Sequence, residues 1–161
     1  MKRKPKLSHV AKDGAARMVD VSAKPETHRI ARARGTIRMT KAALEAIRLQ
    51  QIKKGDVLSV ARIAGIMAAK RTAEIVPLCH TLTLDDVAVS LEVDAALPGI
   101  VAESTVRTTG RTGVEMEAIV AVSVALVTVY DMAKSADKGM VIGDISLIEK
   151  TGGTSSPYSQ G

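Results

Sequence analysis

The chain has 161 residues, a mass of 17.0 kDa and 46% hydrophobic residues, which is enough for one domain with its own core. Its single cysteine, Cys79, excludes an intrachain disulfide framework and favours a reducing compartment, so we expect a cytoplasmic protein. The longest uncharged apolar run is shorter than the roughly 18 residues of a membrane span, so membrane insertion is not expected.

Positive charge is concentrated in the first third of the chain. Residues 1–54 contain 15 Lys and Arg against 4 Asp and Glu, whereas residues 55–161 contain 8 against 13. Such a basic segment can bind nucleic acid, a membrane surface or a small polyanion. With no Trp or Phe, the chain lacks the stacking aromatics of nucleic-acid-binding modules, so we favour a small phosphorylated ligand over nucleic acid.

Residues 1–17 are basic and contain few apolar residues, which predicts a disordered tail before the first strand. From His28 to Met39, small or apolar residues alternate with arginines, which predicts a strand. Thr40 has the chemistry of an N-cap, and apolar residues at helical spacing predict a helix after it. A second helix is predicted from Val57 to Val76 because Pro77 then ends it.

The remaining elements complete a recognisable order. Alternating apolar residues predict a hairpin of two strands around Pro98-Gly99. The uncharged run from Ala118 to Tyr130 is too long for an ordinary strand, so a helix is predicted to about Lys134. A last strand, Met140 to Ile148, precedes a flexible tail at residues 151–161.

The predicted order of strands and helices is β, α, α, β, β, α, β. This order indicates an α+β class with a split βαβ, ferredoxin-like arrangement, in which helices pack on an antiparallel sheet. One helix is additional, after the first strand. We therefore expect a single domain at residues 18–150.

Four charged residues bracket the uncharged run, and they are the first candidates for chemistry. Asp131 and Lys134 lie three residues apart at the end of the predicted helix, where the ammonium keeps the carboxylate ionised; a simple surface ion pair is the alternative. Glu115 and Glu117 precede the run, and at least one of them can merely complement the helix dipole.

The length of the predicted helix constrains how these residues meet. Glu117 and Asp131 are 14 residues apart, which places them on similar sides of a helix but separates them by roughly 21 Å along its axis. If both are catalytic, either the helix is broken or two subunits combine opposite ends across an interface. We favour the second arrangement.

His80 and several cations are further candidates. One Cys and three His are too few for a structural zinc site, so no metal is predicted. His80 is interpreted as a proton-transfer or phosphate-contacting residue on a loop; a structural histidine with satisfied hydrogen bonds is the alternative. Arg29 lies on the apolar side of its strand and needs an anionic partner or ligand. No P-loop or GxGxxG pattern occurs, so phosphate would be held by side chains such as Lys54, Lys70 and Arg71, although solvated helix ends are the alternative for these.

Several motifs resemble those of one known family. They are VDVSAK (19–24), ARIAGIMAAKRT (61–72), PLCH (77–80), TGVEMEA (112–118) and YDMAK (130–134). Together and in this order, they are similar to the molybdenum cofactor biosynthesis protein C family, MoaC, the cyclic pyranopterin monophosphate synthases. The resemblance extends from about residue 18 to 155 and excludes the Lys/Arg-rich amino terminus.

The resemblance implies an activity and an assembly. The reaction would convert 3′,8-cyclo-7,8-dihydro-GTP, supplied by a radical SAM enzyme, into cyclic pyranopterin monophosphate with release of pyrophosphate. The implied subunit is ferredoxin-like and assembles as a homohexamer, a trimer of dimers, with sites at dimer interfaces. It implies no metal or organic cofactor.

The resemblance also implies site residues. The family's catalytic aspartate corresponds to Asp131 and its lysine to Lys134, and further pocket residues correspond to Leu78, Cys79, His80, Met116, Glu117, Lys54, Lys70, Arg71, Glu115 and Arg29. We hypothesise that Asp131 and Lys134 form the central acid/base pair, assisted by His80 and a glutamate. A basic RNA-binding α+β protein and a bare oligomeric scaffold remain as alternatives.

Overall fold

One antiparallel sheet forms the centre of the computed structural model, which describes residues 14–153 and 156–160. Its five strands are hydrogen-bonded in the order β2-β3-β1-β4-β5. The elements are β1 (Thr27–Arg38), α1 (Lys41–Arg48), α2 (Val57–Ala69), α3 (Thr72–Ile75), β2 (Asp86–Asp94), β3 (Gly99–Gly110), α4 (Glu115–Ala133), β4 (Val141–Thr151) and β5 (Tyr158–Ser159).

The predicted α+β, ferredoxin-like fold is confirmed, including the additional helix after the first strand. The predicted cap of that helix is also present, since the Thr40 hydroxyl accepts a hydrogen bond from the Ala43 amide at 3.3 Å. This bond satisfies one of the amides that a helix start leaves free.

The alternation along β1 divides the sheet into two faces. Ala31, Ala33 and Ile37 are fully buried beneath the helices. Arg32 and Arg34 point to the other face, where both form ion pairs with Glu103 of β3. The period-two pattern therefore places one face of the sheet in the core and leaves the other accessible.

Helix α4 is the core helix of the fold. Val122, Leu126 and Val129 are fully buried, and a Cβ on Gly35 of β1 would lie 2.9 Å from the side chains of Val122 and Leu126. The 19-residue helix is long and apolar enough to cross a membrane by composition, but 56% of the apolar window is buried inside the fold. Its apolarity is therefore accounted for largely by packing.

Two predicted boundaries differ from the structure. The predicted second helix is broken at Lys70 and Arg71, where α2 ends and α3 begins, and the buried Thr72 hydroxyl donates to the Ala69 carbonyl at 3.0 Å. Beyond residue 150, β4 continues to Thr151 and pairs with β5, where the sequence indicates only a tail. Of the predicted tail at residues 1–17, residues 1–13 lie outside the described part of the chain.

Close packing between α2 and α4 yields a first testable prediction. A Cβ on Gly65 would lie 2.8 Å from the Ala121 carbonyl oxygen of α4, so Gly65→Ala forces the two helix backbones apart. We expect the free energy of unfolding to fall by about 1–3 kcal/mol, as for other overpacked cores. Urea unfolding measures this loss. Gly143→Ala is the matched control, since a Cβ there meets no atom within 4 Å, and an equal loss in both variants would contradict the explanation.

Candidate active site

The candidate site residues lie in two clusters at opposite ends of α4. The helix runs without a break from Glu115 to Ala133, so Glu117 and Asp131 are separated by roughly 21 Å along its axis. Within one chain, these two carboxylates therefore cannot contact the same small molecule. Of the two arrangements considered above, a broken helix is wrong.

The cluster at the carboxyl end of α4 consists of Lys54, Asp131 and Lys134. The Asp131 carboxylate accepts from the Lys134 ammonium and from the Lys54 ammonium, each at 2.8 Å, and Lys54 also donates to the Asp131 carbonyl at 2.9 Å. Lys134, and then Lys54, lower the pKa of Asp131 to about 2, and Asp131 in turn raises the pKa of Lys134. All three side chains are about half exposed, so the cluster presents net positive charge to solvent.

The cluster at the amino end of α4 contains two carboxylates in different environments. Glu117 is only 5% exposed, and burial raises its pKa to about 7, assisted by the nearby charge of Glu115. Glu115 instead forms an ion pair with Lys150 of β4. Near neutral pH, Glu117 is therefore the carboxyl group suited to accept or donate a proton.

The raised pKa of Glu117 predicts a pH-dependent stability. A carboxyl whose pKa rises from 4.5 to about 7 on folding stabilises the fold fully below pH 4.5, and this stabilisation is lost as the pH rises through 7. Relative to Glu117→Gln, wild type should lose about 3 kcal/mol of unfolding free energy between pH 4.5 and 8. Denaturant titrations at one protein concentration measure the difference. Ser90→Ala is the control, because its offset from wild type should not vary with pH, and a flat Glu117→Gln difference would contradict the prediction.

Leu78, Cys79 and His80 lie in the loop after α3, and the charge of Glu117 acts on Cys79. All three residues are partly buried. Burial, and then the charge of Glu117, raise the pKa of the Cys79 thiol, so the thiol is protonated at neutral pH. The predicted loop position of His80 is confirmed, whereas its grouping with Glu117 stays a prediction.

One hydrogen bond sets the chemistry of the His80 ring. Its Nε2 lies 2.8 Å from the backbone carbonyl oxygen of Val19. Because a carbonyl only accepts, Nε2 carries the proton, and in the neutral ring Nδ1 has the free lone pair. The backbone before β1 thus orients the nitrogen that remains available for proton transfer.

This tautomer is open to direct measurement. In protein with ¹⁵N-labelled histidine, we expect the neutral His80 ring to show a protonated Nε2 and an unprotonated Nδ1 in long-range ¹H–¹⁵N spectra. His80→Gln assigns the signal among the three histidines of the chain. A neutral ring protonated at Nδ1 would contradict the assignment.

Arg29 is placed on the inward face of β1, as its position in the sequence predicts, and is 8% exposed. Its Nε donates to the Gly110 carbonyl at 2.9 Å and its Nη2 to the Arg111 carbonyl at 3.1 Å. These partners are neutral, and within residues 14–153 and 156–160 no carboxylate forms an ion pair with Arg29. The guanidinium is held in place while its charge remains available to an anion.

The structure does not bring Lys70 and Arg71 to either cluster. Both are exposed at the break between α2 and α3, and Lys70 lines a shallow groove beside Asp85 and Asp86. In the described part of the chain, neither forms a hydrogen bond or ion pair with a cluster residue. Within one subunit, their assignment to the pocket has no geometric support.

One side of α4 carries exposed residues near both clusters, and between them lie the buried Val120 and the half-buried Ser123. Met116 is 37% exposed and Val127 is 55% exposed. Both are connected to Asp131 by steps of three or four residues, and residues at this spacing lie on the same side of a helix. We call this side the outer stripe of α4; its exposed or half-buried members are Met116, Ser123, Val127, Asp131 and Lys134. Met116 and Val127 are the large hydrophobic residues of α4 that are more than one-third exposed among the described residues.

Sequence reasoning missed Lys150, which contacts Glu115. The antiparallel pairing of β4 with β1 carries Lys150 to the amino end of α4, although 35 residues separate it from Glu115 in sequence. A lysine near a strand end gives no local signal of this contact. Among the described residues, no three His, Cys, Asp or Glu side chains group as they would around a metal ion.

Comparisons with known proteins identify similar sequences along most of the chain. A family model described as the MoaC family matches residues 18–153. The chain is 59% identical over 152 residues to the cyclic pyranopterin monophosphate synthase of Novosphingobium aromaticivorans, covering 94% of this chain and 96% of that protein. The synthases of Parvibaculum lavamentivorans and Cereibacter sphaeroides are 55% and 54% identical over 153 and 152 residues, covering 95% and 94% of this chain and 96% of each protein.

Proposed function

The chain belongs to the MoaC family, and from this premise we propose that it is a cyclic pyranopterin monophosphate synthase of molybdenum cofactor biosynthesis. Its substrate is 3′,8-cyclo-7,8-dihydro-GTP, supplied by a radical SAM enzyme, and its products are cyclic pyranopterin monophosphate and pyrophosphate. It acts in the cytoplasm as a phosphorus–oxygen lyase. The observation that carries the proposal is 54–59% identity to three synthases over at least 94% of the chain.

The two clusters support different roles in the reaction. Asp131, with its pKa near 2, stays ionised and holds the ammonium groups of Lys54 and Lys134 in position. These ammonium groups donate hydrogen bonds to substrate oxygens as negative charge develops on those oxygens during the reaction. Glu117, with its pKa near 7, transfers protons. Our sequence-based hypothesis of Asp131 and Lys134 as the acid/base pair is thus refined, because a carboxylate bound by two ammonium groups is a weak base.

Both clusters belong to one site only if two subunits contribute to it. We place two α4 helices antiparallel across a twofold axis, each packing its outer stripe against the other. Residue 117 of one subunit then approaches residue 131 of the other, and each carboxylate-rich amino end faces the cationic Lys54 and Lys134. The exposed Val127 is covered near the axis. Three such dimers form the homohexamer.

Turnover of the proposed substrate tests the function directly. Purified protein should release pyrophosphate from 3′,8-cyclo-7,8-dihydro-GTP and form the cyclic monophosphate, and Asp131→Asn should release far less. Asp137→Asn is the matched control, because Asp137 lies beyond α4 and accepts from the Thr40 and Gly139 amides. Full turnover by Asp131→Asn would refute the assignment of Asp131. RNA binding with a steep salt dependence and no turnover would favour the rival function.

A further inference from the structure

The loop between α3 and β2 carries Leu78, Cys79 and His80, three of the predicted substrate contacts, without a regular element to support them. Its residues 79–84 belong to no helix or strand. A segment of this kind opens at a low free-energy cost unless the rest of the fold holds it. The position of the three side chains therefore depends on contacts from outside the loop.

Backbone hydrogen bonds fix only the two ends of this loop. At its start the Cys79 amide donates to the Val76 carbonyl at 3.1 Å, and at its end the Asp85 amide donates to the Arg107 carbonyl at 2.9 Å. Within the described part of the chain, two hydrogen bonds join the intervening residues 80–84 to other elements. Both involve a side chain.

These two hydrogen bonds differ in what they are attached to. The His80 ring is bonded to the carbonyl of Val19, which lies in a mostly exposed segment before β1. The Thr108 Oγ1 instead donates to the Thr83 carbonyl at 2.6 Å, from a residue of β3 that is 1% exposed. Because β3 is paired with β1 on one side and with β2 on the other, Thr108 is the more rigid anchor.

The burial of Thr108 makes its hydroxyl difficult to replace. The neighbouring Thr109 is exposed, and its hydroxyl donates to the Asp85 carboxylate at 3.1 Å, where water can take its place. Water cannot easily replace the buried Thr108 hydroxyl, so its loss leaves the Thr83 carbonyl without a partner. Thr108 also lies directly opposite Arg29 in the pairing of β1 with β3, so one row of the sheet holds both Arg29 and the loop.

We propose that Thr108 is a positioning residue, which acts through the Thr83 carbonyl to hold Leu78, Cys79 and His80 where they meet the substrate. Its hold on the loop rests on the burial and the hydrogen bonds described above. Its consequence for turnover rests on the proposed function. The two parts are tested by separate measurements.

The alkylation rate of Cys79 by iodoacetamide measures opening of the loop, because Cys79 is the single cysteine of the chain. Thr108→Val keeps the shape of the side chain but removes the hydroxyl, and we expect alkylation to become at least about fivefold faster. Thr108→Ser keeps the hydroxyl and should react at the wild-type rate. An unchanged rate in Thr108→Val would overturn the proposal.

Thr36→Val is the matched control for the loss of a buried threonine hydroxyl. Thr36 is 8% exposed and its hydroxyl bonds to the Gly143 carbonyl at 3.3 Å, seven residues along β1 from Arg29. This variant should alkylate at the wild-type rate, and a gain equal to that of Thr108→Val would mean that general destabilisation opens the loop, against the proposal.

A measurement on wild-type protein keeps the proposal testable if Thr108→Val does not fold. The Thr108 hydroxyl proton is buried and bonded, so it should exchange slowly enough with water to give an NMR signal, unlike the exposed hydroxyl of Thr109. Absence of a slowly exchanging Thr108 hydroxyl proton would contradict the anchor.

Turnover of the proposed substrate tests the second part. Thr108→Val should raise KM at least tenfold with a smaller change in kcat, because a displaced loop loses contacts that bind the substrate. Thr108→Ser should restore KM, and Thr36→Val should leave it unchanged. A purely structural loss would lower the amount of active enzyme without moving KM, so an unchanged KM would overturn the positioning role. If wild type shows no turnover, the proposed function fails, while faster alkylation of Thr108→Val still supports the anchor.

Discussion

Mixing two inactive variants, Glu117→Gln and Asp131→Asn, should restore about a quarter of wild-type turnover. Random pairing of subunits makes about half of the dimers mixed. Each mixed dimer has one intact site of its two sites, because that site takes both wild-type residues. Each variant alone should lose a factor of about 10² to 10⁴ in turnover, as expected when a proton-transfer group or its charged neighbour is removed. Restoration by mixing requires that one site takes Glu117 from one subunit and Asp131 from the other.

The length of α4 is the physical reason for this expectation. A continuous 19-residue helix separates residues 117 and 131 by roughly 21 Å, too far for one small substrate. Co-expression of two differently tagged chains, followed by two affinity steps, isolates the mixed assemblies, and pyrophosphate release measures their activity. Glu115→Gln mixed with Glu117→Gln is the matched control, since both changes affect the same end of α4 and should not complement. No recovery in the first mixture would show that Glu117 and Asp131 do not act in one shared site.

The fold was largely predictable because the spacing of apolar residues along each strand and helix indicates the type of that element. The alternation in β1 and the uncharged run of α4 have the periods and lengths of the elements they form, and the Thr40 cap marks a helix start. The break at Lys70 was not predictable, because no Gly or Pro interrupts the pattern there. The hydroxyl of Thr72 bonds to the carbonyl of Ala69 only once the residue is buried.

The site was predictable to the extent that neighbours in sequence define it. The contact between Asp131 and Lys134 follows from helical spacing, and the two clusters follow from the charges that bracket α4. Arg29 contacts Gly110 at the end of β3, 81 positions away in sequence, and Lys150 contacts Glu115, 35 positions away. Both contacts depend on how the strands of the sheet are paired.

The pKa values of the two carboxylates could not be derived from sequence either. Glu117 and Asp131 are both acidic residues near a helix end, yet one has a pKa of about 7 and the other of about 2. The difference arises because Glu117 is desolvated, whereas Asp131 is exposed between two ammonium groups. Burial and long-range partners, which only the fold defines, therefore give these two carboxylates different pKa values.

Val127→Arg should convert the assembly into folded subunits that lack the dimer contact and turn over at least tenfold more slowly. Val127 lies near the middle of the outer stripe of α4, so a twofold axis there brings the two new guanidinium groups close together, and like charges at an interface cost several kcal/mol. Sedimentation velocity measures the assembly and circular dichroism the fold. Pyrophosphate release measures turnover.

The control for this variant must add the same charge to an equally exposed apolar position elsewhere. Leu49 at the end of α1 is 52% exposed, against 55% for Val127, so Leu49→Arg should keep both assembly and turnover. A Val127→Arg protein that remains assembled and active would move the interface away from the outer stripe. A protein that becomes monomeric but keeps full turnover would show that Glu117 and Asp131 do not act in one shared site, since a single subunit holds them at opposite ends of α4.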